Sequence, residues 1–207
     1  MRRTHGSMAL LMVVLGVWPL LAASQDIVEV SAEGVKAILD QPEVAMAGAR
    51  HPDVTMVEYF DYNCGYCKKL IPILRVLLAE DPKLAIVYKD WPIFGGSSVY
   101  AARCAVAAQW QGKYLIAHDA LMKASRVSED AQVDAILGGA GVDVVRLQRD
   151  LKTYASKIAA ILLRNDSEAK ALELQGTPGI MIGRQLMPGG AELPVFRQLI
   201  AAARLSK

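Results

Sequence analysis

The chain has 207 residues, of which 53% are hydrophobic and 21% are charged, and its formal net charge is +2. That length suffices for one domain with a proper core, or for a domain with an insertion. The near-neutral charge gives no reason to expect nucleic acid or an anionic membrane as a partner. Three cysteines are too few for a disulfide-stapled scaffold, which needs more cysteines spaced further apart.

Residues 1–24 carry the pattern of a secretory signal peptide. Arg2 and Arg3 give a basic start, and the apolar stretch from Met8 to Ala23 covers 16 residues. An uncleaved membrane anchor is the alternative, but a span needs about 20 residues. We therefore predict cleavage near Ala23 or Ser24 and export to the periplasm by the ordinary route rather than the twin-arginine route. Loss of two arginines from 23 basic residues leaves 21, equal to the 21 acidic residues.

Residues 25–53 form a lead-in to the main domain. Ser31 is suited to cap a short helix over 32–40, which Pro42 would interrupt. Two interpretations stay open, a helix laid on the main domain and an oligomerisation arm. The segment is too short and too weakly apolar for a long coiled coil. We therefore favour the first interpretation and expect a monomer.

The first two cysteines stand where a predicted strand meets a predicted helix. The run 54–60 is β-branched and aromatic, and apolar residues recur at helical spacing through 64–80. A thiol at a helix N-terminus faces unpaired N–H groups and the positive end of the dipole, and both favour the reactive thiolate. We expect the Cys64 sulfur to be exposed and the Cys67 sulfur, one turn on, to be shielded. The pattern predicts a redox-active disulfide.

Metal and haem sites fit this pair less well. A zinc site needs four ligands, and the rest of the chain offers Cys104 and three histidines, none at ligand spacing. A c-type haem would need histidine where Lys68 stands. We predict no metal and no organic cofactor. Cys104 lies among small apolar residues and is interpreted as a core thiol, while Lys68 and Lys69 either lower the Cys64 pKa or form a solvated helix face.

The remaining chain alternates between short strands and helices. A second strand is predicted over 84–88, and the block 97–163 is wholly helical, with pieces that start near 97, 113, 128 and 143. A further helical run covers 165–174. Two short strands over 180–182 and 185–187 and a last helix over 193–205 complete the chain.

This order predicts an α/β domain with an all-helical insertion. The early strands alone are too few for a stable sheet, so the outer pieces must come together. We assign 54–96 and 165–207 to the α/β domain and 97–164 to the inserted helical subdomain.

These residues resemble the DsbA-like branch of the thioredoxin superfamily. Four features carry the resemblance: the strand–CxxC–helix with Pro72, the acidic Glu58 six residues before Cys64, the helical insertion, and Thr177–Pro178 before a short strand. The resemblance covers most of the chain from about Val54 onward. It implies a thioredoxin fold with an inserted helical subdomain, and a thiol–disulfide oxidoreductase that needs no cofactor.

The resemblance also implies roles for single residues. Cys64 would be the nucleophile and Cys67 the resolving thiol, while Glu58 would lie behind Cys67 and ease its proton transfer. A strand residue facing solvent is the alternative for Glu58. The client-binding residues would be Thr177, a cis Pro178, Gly65 and Tyr66.

The direction of electron flow is left between two alternatives. The stretches 58–64 and 89–92 are similar to ScsC-like bacterial members, and Thr177 stands where the oxidase type has an apolar residue. We favour an oxidase over an isomerase or reductase. The resemblance implies client proteins with cysteines and a membrane redox partner, DsbB-like or DsbD/ScsB-like. A non-catalytic peptide-binding chaperone on the same fold is the second class of function.

Overall fold

The structure, a computed structural model, describes residues 27–41 and 45–206. The predicted signal peptide and Pro42 lie outside these residues. The predicted α/β class is confirmed, because one mixed sheet carries helices on both faces.

Six strands form the sheet, in the order β1-β6-β5-β3-β4-β2. They are β1 (Val28–Glu29), β2 (Ala45–Gly48), β3 (Val54–Phe60), β4 (Leu84–Asp90), β5 (Gly179–Ile182) and β6 (Gln185–Pro188). The central pair β3 and β4 is parallel, and every other pairing is antiparallel. The strand before the cysteines therefore lies in the middle of the sheet, buried on both faces.

Eight α-helices and one short 3₁₀ turn, Gln109–Gln111, surround this sheet in the described residues. They are α1 (Ala32–Leu39), α2 (Gly65–Glu80), α3 (Gly96–Ala108), α4 (Tyr114–Lys123), α5 (Asp130–Gly139), α6 (Val144–Thr153), α7 (Ala155–Ala171) and α8 (Leu193–Leu205). Helix α2 connects the two parallel strands, as an α-helical crossover must.

The lead-in contributes more than the predicted helix. Strand β1 pairs with β6 and strand β2 pairs with β4, so the lead-in supplies both edges of the sheet. Sequence patterns missed both strands, because β1 has two residues and β2 is Ala-Met-Ala-Gly, which has low strand propensity. Gly48 adopts φ +92°, and a Cβ there would lie 2.4 Å from the Leu84 carbonyl oxygen.

The predicted helix over 165–174 is wrong at both ends. Helix α7 runs without a break from Ala155 to Ala171, so the boundary drawn at 164/165 falls inside it. Its own sequence contains no breaker there, and Glu173 leaves the helix with φ 56°. Helix α7 packs Ile158 into the core on one face of the sheet and Ala169 into the core on the other face.

Two cores result from the alternation of side chains along the central strands. Met56 and Phe60 point to the face covered by α2, the insertion and α8. Val57 and Tyr59 point to the opposite face, where α1 and the end of α7 lie. Each fully buried apolar side chain stabilises the fold by about 1.5–3 kcal/mol, so the central strand is held firmly beneath the cysteines.

Candidate active site

Cys64 is the N-cap of α2, and its sulfur is the capping group. The Cys67 N–H donates to Cys64 Sγ at 3.3 Å, and the Cys64 N–H donates to the Asp61 carbonyl oxygen at 3.0 Å. Both cysteines are free thiols in this structure. The thiol is thus fixed at the helix terminus, where backbone N–H groups favour its thiolate.

The predicted exposure of Cys64 is wrong, because the residue is only 2% exposed. The loop at Thr177 and Pro178 covers it, and in its protonated form the Cys64 thiol donates to the Thr177 carbonyl oxygen at 3.2 Å. Helix periodicity reports only on α2 and could not show a cover that comes from 113 residues further along the chain. Cys67 is fully buried, as predicted.

The two thiols differ sharply in acidity. Hydrogen bonding with Cys67 is the largest effect that lowers the pKa of Cys64 to about 6, and Thr177 and the N–H groups of Cys67 and Tyr66 add to it. Burial raises the pKa of Cys67, followed by its hydrogen bond with Cys64 and the negative charge of Glu58. Near neutral pH, Cys64 is therefore the thiolate and Cys67 the thiol.

Glu58 lies beneath this pair on β3 and is fully buried, so the solvent-facing alternative is wrong. Neither carboxylate oxygen has a hydrogen-bond partner among the residues that the structure describes. Burial, with a contribution from the charge of Cys64, raises the pKa of Glu58 to about 8. Such a group binds and releases a proton in the neutral range, next to the thiol that must do the same.

Thr177 and Pro178 are brought against the cysteines from the far end of the chain. Their peptide bond is cis, as the resemblance implied. The Thr177 hydroxyl oxygen is buried and has no hydrogen-bond partner within the described ranges. Gly179 then lets β5 pass close to Leu174, since a Cβ would lie 2.5 Å from Leu174 Cδ1.

Gly65 and Tyr66 form the solvent side of the motif. Among the described residues, apart from its chain neighbours and the backbone of α2, no heavy atom lies within 4 Å of a Cβ built on Gly65, and Tyr66 is 71% exposed. The Lys69 ammonium lies 5.2 Å from the centre of the Tyr66 ring. Lys68 is not part of a solvated face, because Lys68 Nζ donates to the Leu121 carbonyl oxygen at 2.8 Å and caps the end of α4.

Comparison with known proteins identifies the family. Residues 55–201 match the family described as the DSBA-like thioredoxin domain. The chain belongs to the DSBA-like thioredoxin family. A thioredoxin-like oxidoreductase from Silicibacter pomeroyi DSS-3 is 35% identical, with TM-score 0.79 over 83% of this chain and 98% of that chain. The thiol–disulfide exchange protein alpha-DsbA2 from Wolbachia pipientis is 26% identical, with TM-score 0.77 over 82% and 92% of the two chains.

Longer proteins contain a similar region. The Na(+)/H(+) antiporter NhaA 1 of Salinispora arenicola is 24% identical over 187 residues, which cover 89% of this chain and 28% of that protein. The chain thus spans little more than a quarter of the length of that curated relative. In the described part of this chain, no helix is long and apolar enough to cross a membrane.

These matches confirm the predicted thioredoxin fold with a helical insertion and the predicted membership of the DSBA-like family. The close Cys64–Cys67 pair is the CxxC motif of that family. Cys104 is fully buried, and burial raises its pKa to about 12, so it is a buried core thiol, as predicted.

Sequence reasoning missed the residues that fix the start of the motif. The Asp61 carboxylate accepts from the N–H of Asn63 at 2.7 Å, from the Ser98 hydroxyl at 2.7 Å and from the N–H of Ile93 at 2.6 Å. The Asn63 amide in turn donates to the Val127 carbonyl oxygen at 3.0 Å and accepts from its N–H at 2.9 Å. Two turn-forming residues immediately before the nucleophile were the available signal.

Proposed function

We propose that this protein is an exported thiol–disulfide oxidoreductase that passes the Cys64–Cys67 disulfide to client proteins as an oxidase. The observation that carries the proposal is the unequal acidity of the two thiols. The low pKa of Cys64, about 6, stabilises the reduced protein, and a stabilised reduced form makes the disulfide oxidising.

The reaction follows from this inequality. A client thiolate attacks Cys64 Sγ of the disulfide, the S–S bond breaks, and Cys67 leaves as a thiolate that takes a proton from Glu58. A second client thiolate then attacks the client sulfur of the mixed disulfide, and Cys64 leaves as a stable thiolate. The client loses two electrons, the protein gains them, and no other oxidant is needed in this half of the cycle.

Client binding is assigned to the residues around Cys64. The proposed surface comprises Thr177, Pro178, Gly65 and Tyr66, which contact or flank the nucleophile. A membrane partner, DsbB-like for an oxidase, would reoxidise the pair. If the protein works as an isomerase or reductase, the partner would be DsbD/ScsB-like, and the polar Thr177 favours this second candidate.

Location and assembly belong to the same proposal. Export to the periplasm with cleavage near Ala23 or Ser24 would place the pair in an oxidising compartment, where a disulfide donor has clients. We propose a monomer, since the lead-in packs its strands and α1 on the same chain. The N-terminal mass of the secreted protein and its sedimentation velocity test both points.

The deciding experiment is a glutathione titration with variants of each cysteine. Wild-type protein should equilibrate toward the oxidising end of the family range, roughly −120 mV, and not near −270 mV. Cys67→Ser should accumulate mixed disulfides with client proteins, whereas Cys64→Ser should trap none and should lose exchange. Cys104→Ala is the matched control and should behave as wild type.

Three outcomes would count against the proposal. A potential near −270 mV together with a Cys64 pKa near the free-thiol range would leave a reductase. A pair that does not cycle with glutathione at all would leave the peptide-binding chaperone. Trapping by Cys64→Ser but not by Cys67→Ser would reverse the roles of the two thiols.

A further inference from the structure

A small cavity lies between the end of β4, the 3₁₀ turn and α7, on the same face of the sheet as Glu58. Its volume is about 20 Å³, and its lining includes Asp90, Gln109, Arg164 and Asn165. A cavity of more than about 10–15 Å³ has room for one water molecule if two to four polar groups face it. The volume is therefore that of a single water site.

Three buried polar atoms that line this cavity have no hydrogen-bond partner among the described residues. They are the acceptor Asp90 Oδ1 and the donors Gln109 Nε2 and Arg164 Nε. Asp90 is only 2% exposed, so its second oxygen cannot be satisfied by bulk solvent. One water could accept from Gln109 and Arg164 and donate to Asp90, which is the usual number of bonds for a buried water.

Asp90 also makes a hydrogen bond on its inner side, and it lies near Glu58 in the sheet. Its other oxygen, Oδ2, accepts from the Tyr114 hydroxyl at 2.6 Å. Asp90 and Tyr88 point to the same face of β4, and Tyr88 is the direct strand partner of Glu58. Glu58 and Asp90 are thus one strand and two residues apart, roughly 8 Å between Cα atoms.

Tyr62 is near enough to both acids to respond to their charges. Burial raises the pKa of Tyr62 well above its usual value, and the charges of Asp90 and Glu58 both contribute. Its hydroxyl lies 3.4 Å from His118 Nδ1. Burial likewise raises the pKa of Asp90 to about 7, against the hydrogen bonds from Tyr114 and Tyr62 that lower it.

The other groups around Asp90 are few. From α4, His118 is held neutral, because burial lowers its pKa to about 4. From α7, Arg164 and Asn165 face the cavity, and Asn165 Nδ2 donates to the Asp90 carbonyl oxygen at 3.0 Å. From the loop before α2, the negative charge of Asp61 adds to the rise in the pKa of Asp90. Lys89 also lines the cavity, but its ammonium pairs with Glu168.

We propose that the cavity holds a bound water between Asp90, Gln109 and Arg164, and that Asp90 exchanges protons through this water for the buried Cys67–Glu58 pair. Glu58 has no hydrogen-bond partner within the described residues, so a proton taken from Cys67 needs a route out. On the inner side of Asp90, the proposed route runs through the hydroxyls of Tyr62 and Tyr114, which both interact with Asp90. Gln109 and Arg164 are both half-buried, so the proposed water lies close to the protein surface. Asp90 is a positioning residue, since it acts through Glu58.

The inference rests on the proposed function. Its test measures separately the two steps by which oxidised glutathione oxidises the protein. Reduced protein is mixed with oxidised glutathione: the Cys64 thiolate attacks one sulfur and releases a glutathione thiolate. Cys67 then loses its proton, attacks Cys64 Sγ and releases the second glutathione thiolate. Only the second step needs the proton route. Stopped-flow fluorescence and acid-quenched mass analysis give both rates from pH 5.5 to 9.

Asp90→Asn should slow the second step about tenfold at pH 7, less than the 10²–10⁴ of a direct acid–base group. It should also remove an ionisation near pH 7 from the pH profile of that step, while the first step stays unchanged. Tyr114→Phe, which keeps the acid, should produce a smaller change in the same direction. Asp150→Asn is the matched control, because Asp150 is another buried acid and does not line the cavity.

The outcomes are distinguishable. A second-step profile that is the same in wild type and Asp90→Asn would overturn the inference and leave the proposed function standing. A wild-type protein whose Cys64 does not react with oxidised glutathione would overturn the proposed function instead. The water itself is judged by a crystal structure at about 1.5 Å: density bridging Asp90 and Arg164 is expected, and an empty cavity would overturn the inference.

Discussion

The buried charged side chains on the two faces of the central strands differ in whether they have partners. On the face toward α1, Lys89 Nζ lies 2.9 Å from Glu168 and donates to Gln41 at 2.8 Å, and the Tyr59 hydroxyl donates to Glu168 at 3.0 Å. On the face toward the cysteines, both oxygens of Glu58 have no partner in the described part of the chain. Strand β4 thus carries the paired Lys89, and the neighbouring strand β3 carries Glu58, which has no partner in the described residues.

The difference separates polar groups that hold the fold from those that must change protonation. Pairing with an opposite charge favours one protonation state, whereas burial without a partner moves a pKa toward neutrality. Lys89 and Glu168 also join β4 to the end of α7 on this face of the sheet, which stabilises the fold. Glu58 has no such partner among the described residues, and its place on the central strand β3 buries it.

Breaking the paired cluster should give the largest effect. Lys89→Met should cost about 3–5 kcal/mol of the free energy of unfolding, because Glu168 would be left as a nearly buried charge without its cation. Urea unfolding at pH 7 measures the loss. The double change Lys89→Met with Glu168→Leu should recover much of it, and the reaction of Cys64 with oxidised glutathione should not change. A loss below 1 kcal/mol in the single variant would show that solvent reaches this cluster.

Neutralising the unpaired acid should mainly affect the rate. Glu58→Gln should slow the attack by Cys67 on a mixed disulfide about 100-fold near pH 7, since a direct proton acceptor is removed. Attack by the Cys64 thiolate should change much less. Equal rates for wild type and variant from pH 5 to 8 would show that Glu58 takes no part in proton transfer.

The same variant should also alter the pH dependence of stability. The pKa of Glu58 is raised from 4.5 to about 8, so the folded state holds a proton that the unfolded state has lost between these values. Stability from this group is therefore present at low pH and falls as pH rises, by at most about 1.4 kcal/mol per pH unit. The reduced form of Glu58→Gln should be more stable than reduced wild type at pH 8.5 but not at pH 4.5, measured by urea unfolding.

Local patterns in the sequence predicted the elements that hold the two cysteines well. The strand before Cys64, the helix after it and the terminal helix are found at or within one residue of their predicted ends. Each of these elements has a periodic apolar pattern of its own and needs no distant partner to be recognised. The carboxylate of Glu58 was also visible, as a lone charge in an apolar strand.

Several of the missed features depend on distant partners. Strand β2 exists because it pairs with β4, and the cover over Cys64 comes from Thr177. The contacts of Asp61 and Asn63 reach Ser98 and the loop at Val127, which belong to the insertion. No spacing within the motif shows such contacts, because tertiary pairing and not local propensity creates them.

A smaller effect should appear at the thiolate itself. Hydrogen bonding with Cys67 is the largest effect that lowers the pKa of Cys64, so Cys67→Ala should raise that pKa by roughly one unit, read from thiolate absorbance at 240 nm. The unfolded state holds the Cys64 proton between pH 6 and 9 while the folded state has lost it. The reduced form should therefore gain stability as pH rises through this window. Cys104→Ala is the control and should leave the titration unchanged.

The smallest effect on stability is expected at Thr177. Its hydroxyl is buried and unpartnered within the described residues, as in Glu58, but it does not titrate. Thr177→Val keeps the shape and removes a hydroxyl that influences Cys64 but makes no regular hydrogen bond with the described residues, so the free energy of unfolding should change by less than about 1 kcal/mol. The Cys64 pKa should rise slightly, because the Thr177 side chain helps to lower it.

The lifetime of a mixed disulfide between Cys67→Ser protein and a client peptide should change more than stability does. A loss of stability with an unaltered lifetime would place Thr177 with the residues that hold the fold rather than with those that serve exchange.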